Sequence, residues 1–223
     1  TTTWAYDEAN RVTEEIDPLG HTQYYTYDAA DDLTRYVDSS GEVRQYGYDA
    51  QHRVVAETWY AGTTDADAQQ NALNTIAYAY DSVGHITEES DDFSSTDYTY
   101  DSQGRLDSVT QTSDGGPTVV LTYTYEGDAT RPSSLSTTID NTADFVNTYD
   151  YDDEGRLIEI TQTGQTGGNA VAEKEIDLTY NASGQVATIT RYLDDDLVVQ
   201  ADYTYDPSGR LTGLIYHQGQ TNL

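Results

Sequence analysis

A Tyr-Asp motif recurs along the whole chain, and repetition constrains the fold more than any other property. It means that one small supersecondary unit is stacked many times. Nine copies are readable, anchored on Tyr6, Tyr27, Tyr48, Tyr80, Tyr100, Tyr125, Tyr151, Tyr180 and Tyr205. Asp7, Asp28, Asp49, Asp81, Asp101, Asp152 and Asp206 follow seven of these tyrosines, while Glu126 and Asn181 follow the other two. Glycine comes next, at Gly84, Gly104, Gly155, Gly184 and Gly209, usually before arginine and an aliphatic residue, as in Gly104-Arg105-Leu106. The first two steps, Asp7 to Asp28 to Asp49, are 21 residues each, but Asp49 to Asp81 takes 32. A fixed motif with variable spacing places insertions in loops and keeps the strands.

Residues 98–110 show how one copy reads. Tyr98 and Tyr100 are two apart and share a strand face, with Thr99 on the other. The same Tyr-x-Tyr pair precedes the turn at Tyr25/Tyr27, Tyr46/Tyr48, Tyr78/Tyr80, Tyr123/Tyr125, Tyr149/Tyr151 and Tyr203/Tyr205. Asp101-Ser102-Gln103-Gly104 reads as a type I turn whose glycine takes the left-handed position. The aspartate accepts from turn amides. Asn10, Asp31 and His52 stand where later copies have glycine, and these residue types tolerate positive φ best. Second turns at Asp17-Pro18-Leu19-Gly20, Asp38-Ser39-Ser40-Gly41 and Asp114-Gly115-Gly116-Pro117 complete a unit of two strands and two turns. On the return strands apolar residues often fall three apart, as at Leu106/Val109 and Val186/Ile189. Either a bulge shifts the phase or both faces are partly covered.

Nine hairpins give about eighteen strands, and open sheets rarely exceed about ten without curling or splitting. The expected fold is therefore all-β: repeated antiparallel hairpins in a curled, spiralling sheet. The array is continuous over residues 1–223 and reads as part of a much larger protein. One short helix is expected, over Asp65 to Leu73, in the long insertion of the third copy.

Leu, Ile, Val and Phe together make only 38 of 223 residues, and the net charge is −30. Such a balance ordinarily signals disorder. Here 21 tyrosines at strand spacing supply the missing apolar contact. With 40 acidic against 10 basic residues, nucleic acid and anionic membranes are repelled. No cysteine is present and no apolar run approaches membrane-span length.

The pattern Tyr-x-Tyr-Asp-x-x-Gly-Arg-Leu, from about Trp4 to Tyr216, resembles the YD repeats of the Rhs and teneurin family. The resemblance implies a wall of hairpins wound into a shell. In bacterial members such a shell encloses a toxin domain; in animal teneurins a similar barrel serves adhesion. It implies a secreted or cell-surface protein whose partners are flanking repeats, an enclosed toxin domain, or a surface glycan or protein; the bare strand edges of an open array separately invite pairing with a second copy. Asp17-Pro18 and Asp206-Pro207 superficially resemble the family's self-cleavage site but lie in ordinary turns.

No catalytic residue is assigned, and a non-enzymatic chain is expected. Acidic pairs such as Asp31/Asp32, Asp91/Asp92 and Asp152/Asp153 fall at turns, and their abundance marks none as special. Asp194, Asp195 and Asp196, and Glu88/Glu89 with Asp91/Asp92, are the calcium candidates, although no EF-hand loop is present. No other cofactor is expected. His21, His52, His85 and His217 share no metal spacing. Asn181-Ala182-Ser183 matches a glycosylation sequon but sits in a turn. Trp59 and Tyr60 are the candidate ligand contacts, by stacking on sugar. An adhesin using the 61–75 insertion and the 163–172 loop is the alternative function.

Overall fold

The computed structural model describes residues 1–218. The described residues form eighteen strands and one short helix, and the strands pair antiparallel within each unit. The chain divides into two compact units: Thr1–Tyr98 with Thr112–Asp114, and Thr99–Gln111 with the chain from Gly115 onward.

The first unit holds β1 (Thr3–Tyr6), β2 (Val12–Ile16), β3 (Thr22–Tyr27), β4 (Leu33–Val37), β5 (Val43–Tyr48), β6 (Val54–Tyr60), α1 (Thr63–Ala68), β7 (Asn74–Tyr80), β8 (Ile86–Ser90) and most of β9 (Ser94–Tyr100). Each strand pairs antiparallel with the next in sequence. Its core is thin. Val43 is fully buried and meets Tyr60 and Ala66, with Val37 packed alongside. Helix α1 docks on β5 and β6, and Gln45 Nε2 donates to the Ala66 carbonyl at 3.2 Å. The helix starts earlier and ends sooner than the sequence indicates. Gln69 and Asn71 adopt left-handed φ of 50° and 55°, which stops it after Ala68.

Most of β10 (Leu106–Ser113) belongs to the second unit, with β11 (Val119–Tyr125), β12 (Pro132–Ile139), β13 (Thr142–Tyr151), β14 (Leu157–Gly164), β15 (Lys174–Tyr180), β16 (Val186–Leu193), β17 (Asp196–Tyr205) and β18 (Leu211–Gln218). Pairing again runs between consecutive strands. Ala201 is its buried apolar residue, and Thr137 and Thr190 are buried polar ones.

The return strands settle the phase question. Thr26 faces Arg35 and Tyr27 faces Leu33, so Thr34 is unmatched. The same shift leaves out Thr13, Val55, Thr87, Ser133, Ile158, Ala187 and Thr212. An extra residue in one strand bends it and reverses the alternation beyond it. Residues three apart across the bulge, such as Leu157 and Ile160, thus return to one face. Ile158, the residue in the bulge, is exposed.

In the sixth copy Pro132 stands opposite Tyr125, and Ser133 is the bulge. Leu135 takes the position three residues further on.

Candidate functional site

The repeating feature is a clasp at each Tyr-Asp turn. In the first copy the Asn10 amide donates to the Asp7 carbonyl at 3.0 Å, and the Asp7 amide donates to the Arg11 carbonyl at 3.0 Å. This closes a three-residue hairpin loop whose last residue is left-handed. Asn10, Asp31 and His52 have φ of 63°, 72° and 61°, and Gly84, Gly104, Gly155, Gly184 and Gly209 occupy the same place with positive φ. The turn aspartate is the hub. Asp7 Oδ1 accepts from the amides of Ala9 and Arg11, and Oδ2 accepts from Arg11 Nε at 2.8 Å. Asp49 with Arg53, Asp101 with Arg105, Asp152 with Arg156 and Asp206 with Arg210 repeat the arrangement. His85 substitutes for arginine on Asp81, and Asn181 with Gln185 makes an uncharged version. Asp28 Oδ1 takes the Ala30 and Asp32 amides without an arginine.

These bonds hold the carboxylates ionised. The carboxyls of Asp7, Asp49, Asp101 and Asp206 lie below the usual aspartate range, first because of the amide of the arginine four residues on. For Asp152 the Arg156 guanidinium is the leading cause. A carboxylate stabilised in this way is a poor proton donor.

The arginine then reaches the next copy. Arg11, Arg53, Arg105 and Arg156 lie over the rings of Tyr27, Tyr80, Tyr125 and Tyr180 at 4.8, 4.5, 4.3 and 4.5 Å. Their spare nitrogens continue across: Arg11 Nη1 donates to the Asp28 carbonyl at 2.8 Å, and Arg105 Nη1 to those of Gly127 and Ala129 at 2.9 and 2.7 Å. His52 reaches Asp32 of the preceding copy at 2.7 Å, and Gln185 reaches the Gly209 carbonyl at 2.9 Å. The tyrosine closes the clasp from the other side. Tyr48, Tyr80, Tyr125, Tyr151, Tyr180 and Tyr205 donate their hydroxyls to the carbonyls of Leu33, Val54, Leu106, Pro132, Leu157 and Val186 at 2.7–3.0 Å. Each acceptor is the first residue of the preceding return strand. Burial pushes the phenols of Tyr48, Tyr125 and Tyr151 up.

Sequence reasoning located both members of this clasp but not their meeting. The signal was available: arginine recurs at one place in the motif, in a chain with few cations. The tyrosines are not a ring-on-ring ladder. Among the described residues one aromatic pair appears, Tyr25 with Tyr36 at 5.4 Å. Threonines just before the motif tyrosine face the wetter side and bond across the hairpin, as Thr99 with Ser108 and Thr179 with Thr188, both 2.7 Å.

The sixth copy lacks the hub. Arg131 sits 5.7 Å from the Tyr151 ring, and Glu126 stands where the other copies have the hub aspartate or asparagine. An open cavity of about 530 Å³ lies there, lined by Glu126, Asp128, Arg131, Tyr149, Tyr151 and Gly155 among others.

The remaining candidates separate. Tyr60 does not present its ring to a ligand: it is 5% exposed, because β6 turns it onto Val43 and Ala66. Trp59 is half-buried, with Arg44 over its ring at 4.7 Å and its indole donating to Glu57 at 2.6 Å. Asp194 and Asp195 are the left-handed residues of the tight turn between β16 and β17, and Asp196 begins β17. Among the described residues no three His, Asp or Glu gather as a metal site. No helix among them is long and apolar enough to cross a membrane.

Comparison with known proteins agrees with the clasp's regularity. The RHS Repeat family profile matches residues 27–58, and the Teneurin YD-shell profile matches residues 64–161. No curated protein is a significant match. Among solved structures, TcdB2-TccC3 without its hypervariable C-terminal region is 14% identical, with TM-score 0.48, over 97% of this chain and 15% of that one. TcdB2-TccC3-TEV is 14% identical with TM-score 0.44, over 92% and 14%. A porin-like protein from Bacteroides uniformis is 15% identical with TM-score 0.38, over 86% and 80%. This chain thus spans about a seventh of the TcdB2-TccC3 chains it resembles. With its two profile matches and a Tyr-Asp clasp repeated through both units, the chain belongs to the YD-repeat family of the Rhs and teneurin type.

Proposed function

We propose that this chain is a stretch of shell wall in a large secreted or surface-exposed protein, where it encloses or presents other domains and performs no catalysis. The observation that carries this reading is the clasp. Nearly every turn aspartate is occupied by local amides and an arginine or its substitute, and nearly every motif tyrosine by the preceding copy. Such residues join neighbours; they do not converge on a substrate. The partners are flanking repeats and an enclosed toxin domain. The alternative adhesin is less well supported, because the 61–75 insertion folds back as α1 onto β5 and β6.

The test uses the full-length protein. Limited proteolysis should leave the domain next to the array protected, and a double change of Tyr125→Phe and Arg105→Gln should expose it sooner. Deleting residues 61–75 should leave protection intact. A neighbouring domain cleaved equally fast with and without the clasp would overturn the wall reading. Loss of cell attachment on deleting 61–75, with protection unchanged, would favour the adhesin.

A further inference from the structure

The sixth turn is longer by one residue. Arginine follows the turn aspartate by four positions at Arg11, Arg53, Arg105, Arg156 and Arg210, and the two meet at 2.6–2.8 Å. Arg131 follows Glu126 by five. The extra residue carries its guanidinium past the hub, and among the described residues no carboxylate lies within ion-pair reach of it. It rests instead against Gly155, where a Cβ would overlap Nη1. That glycine has φ of +74° and leaves the space in which Arg131 lies.

Other polar groups around it are idle. The Glu126 carboxylate takes no hydrogen bond among the described residues, and that of Asp128 takes one, from Gln103 Nε2 at 2.7 Å. The Tyr151 hydroxyl is bound to the Pro132 carbonyl, but that of Tyr149, on the same face of β13, has no partner there. Glu126, Asp128, Arg131 and the two tyrosines all line the open cavity of about 530 Å³, which lies within the second unit. Its size falls in the range of small-ligand sites, about 300 to 1,000 Å³. The lining selects by charge. An anion meets Glu126 and Asp128 on a chain of net charge −30. A small cation meets the Arg131 guanidinium. An uncharged ligand rich in hydroxyls meets neither obstacle. It donates to the carboxylates, accepts from the guanidinium, and gains the stronger hydrogen bonds that charged partners make.

We propose that this cavity binds a neutral saccharide. Arg131 donates to some of its hydroxyls, Glu126 and Asp128 accept from others, and Tyr149 supplies a ring for the apolar face of the sugar and a free hydroxyl. Tyr151, tied to Pro132, holds the base of the site in place. The longer turn is what opens it: with the usual spacing the aspartate would grip the arginine, as at Asp101 and Asp152. The site lies outside the 61–75 and 163–172 segments. Shell wall needs no such opening, so the saccharide site and the wall reading stand or fall separately.

The experiment is isothermal titration calorimetry of the chain with lactose, maltose, cellobiose and diacetylchitobiose, each to about 10 mM. At least one should bind with a dissociation constant of about 1 mM or tighter. Arg131→Ala and Tyr149→Ala, each folded by far-UV circular dichroism, should bind it at least about tenfold more weakly. A repaired turn, Glu126→Asp and Ala129→Gly with Thr130 deleted, restores the spacing of the other copies. It should melt higher than the wild type and lose the saccharide, which separates loss of the site from loss of the fold even if an alanine variant misfolds. No binding of any of these sugars, affinity unchanged by both alanine substitutions, or a repaired turn that binds like the wild type would overturn the proposal. Heat from sodium acetate or putrescine at the same concentration, with none from the sugars, would do so too.

Discussion

At the scale of single residues, the tyrosine hydroxyl and the turn carboxylate do different work. The hydroxyl of Tyr125 joins one copy to the one before it through a partly buried bond to the Leu106 carbonyl. Tyr125→Phe keeps the ring under Arg105 and removes only this bond, so it should cost about 1 kcal/mol in a urea titration. Tyr180→Phe should behave alike, and the two should be additive, since they belong to separate clasps. The carboxylates set the pH response. Their folded pKa values are depressed, so the stability they contribute is present above the unfolded value of about 4 and is lost as pH falls through the folded one. Phenols are raised, so their contribution is present below about 10 and is lost as pH rises through the folded value. His52 is raised by its bond to Asp32, so its contribution is full below about 6.5 and fades above it. Melting temperature against pH should show a broad plateau with a small downward step as pH rises above about 6.5, and His52→Gln should remove that step.

At the scale of the hairpin, regularity should decide where the protein opens. The turn after Tyr125 has no aspartate hub, and a cavity lies beside Arg131. Amide hydrogen exchange should be fastest there among the nine Tyr-Asp turns, and slowest at hubs such as Asp101 and Asp152. Uniform protection across all nine would refute this. How much of this was readable beforehand follows from what is local. The turn at Asp101–Gly104 was legible because its chemistry is contained in four residues. The bulge at Ala187 was visible only as a conflict between Val186 and Ile189, since a bulge is a property of two strands. Tyr60 was misread because its neighbour Ala66 comes from an insertion whose docking no local pattern reveals. The Arg105–Tyr125 stack was missed because its members lie in different copies, and only superposing the copies would show it.

At the scale of the whole molecule, charge opposes folding. The chain carries −30, and most of its few cations sit in clasps or over rings. Carboxylates also face each other across strands, as Glu88 with Asp97 and Glu159 with Asp177. Screening should therefore help: raising sodium chloride from low to about molar concentration, where the Debye length falls to about 3 Å, should raise the melting temperature by a few degrees. A melting temperature that falls with salt would mean that the arginine clasps outweigh the repulsion. The thin core points the same way. With so few fully buried side chains, the second unit relies on contacts between adjacent copies rather than on one common interior.

Because each arginine holds only the copy beside it, load applied along the strip has no distant brace to share it. Tension would peel the hairpins off singly, producing a saw-tooth force trace rather than one abrupt rupture. The weakest tooth would fall at Glu126, where the grip is looser.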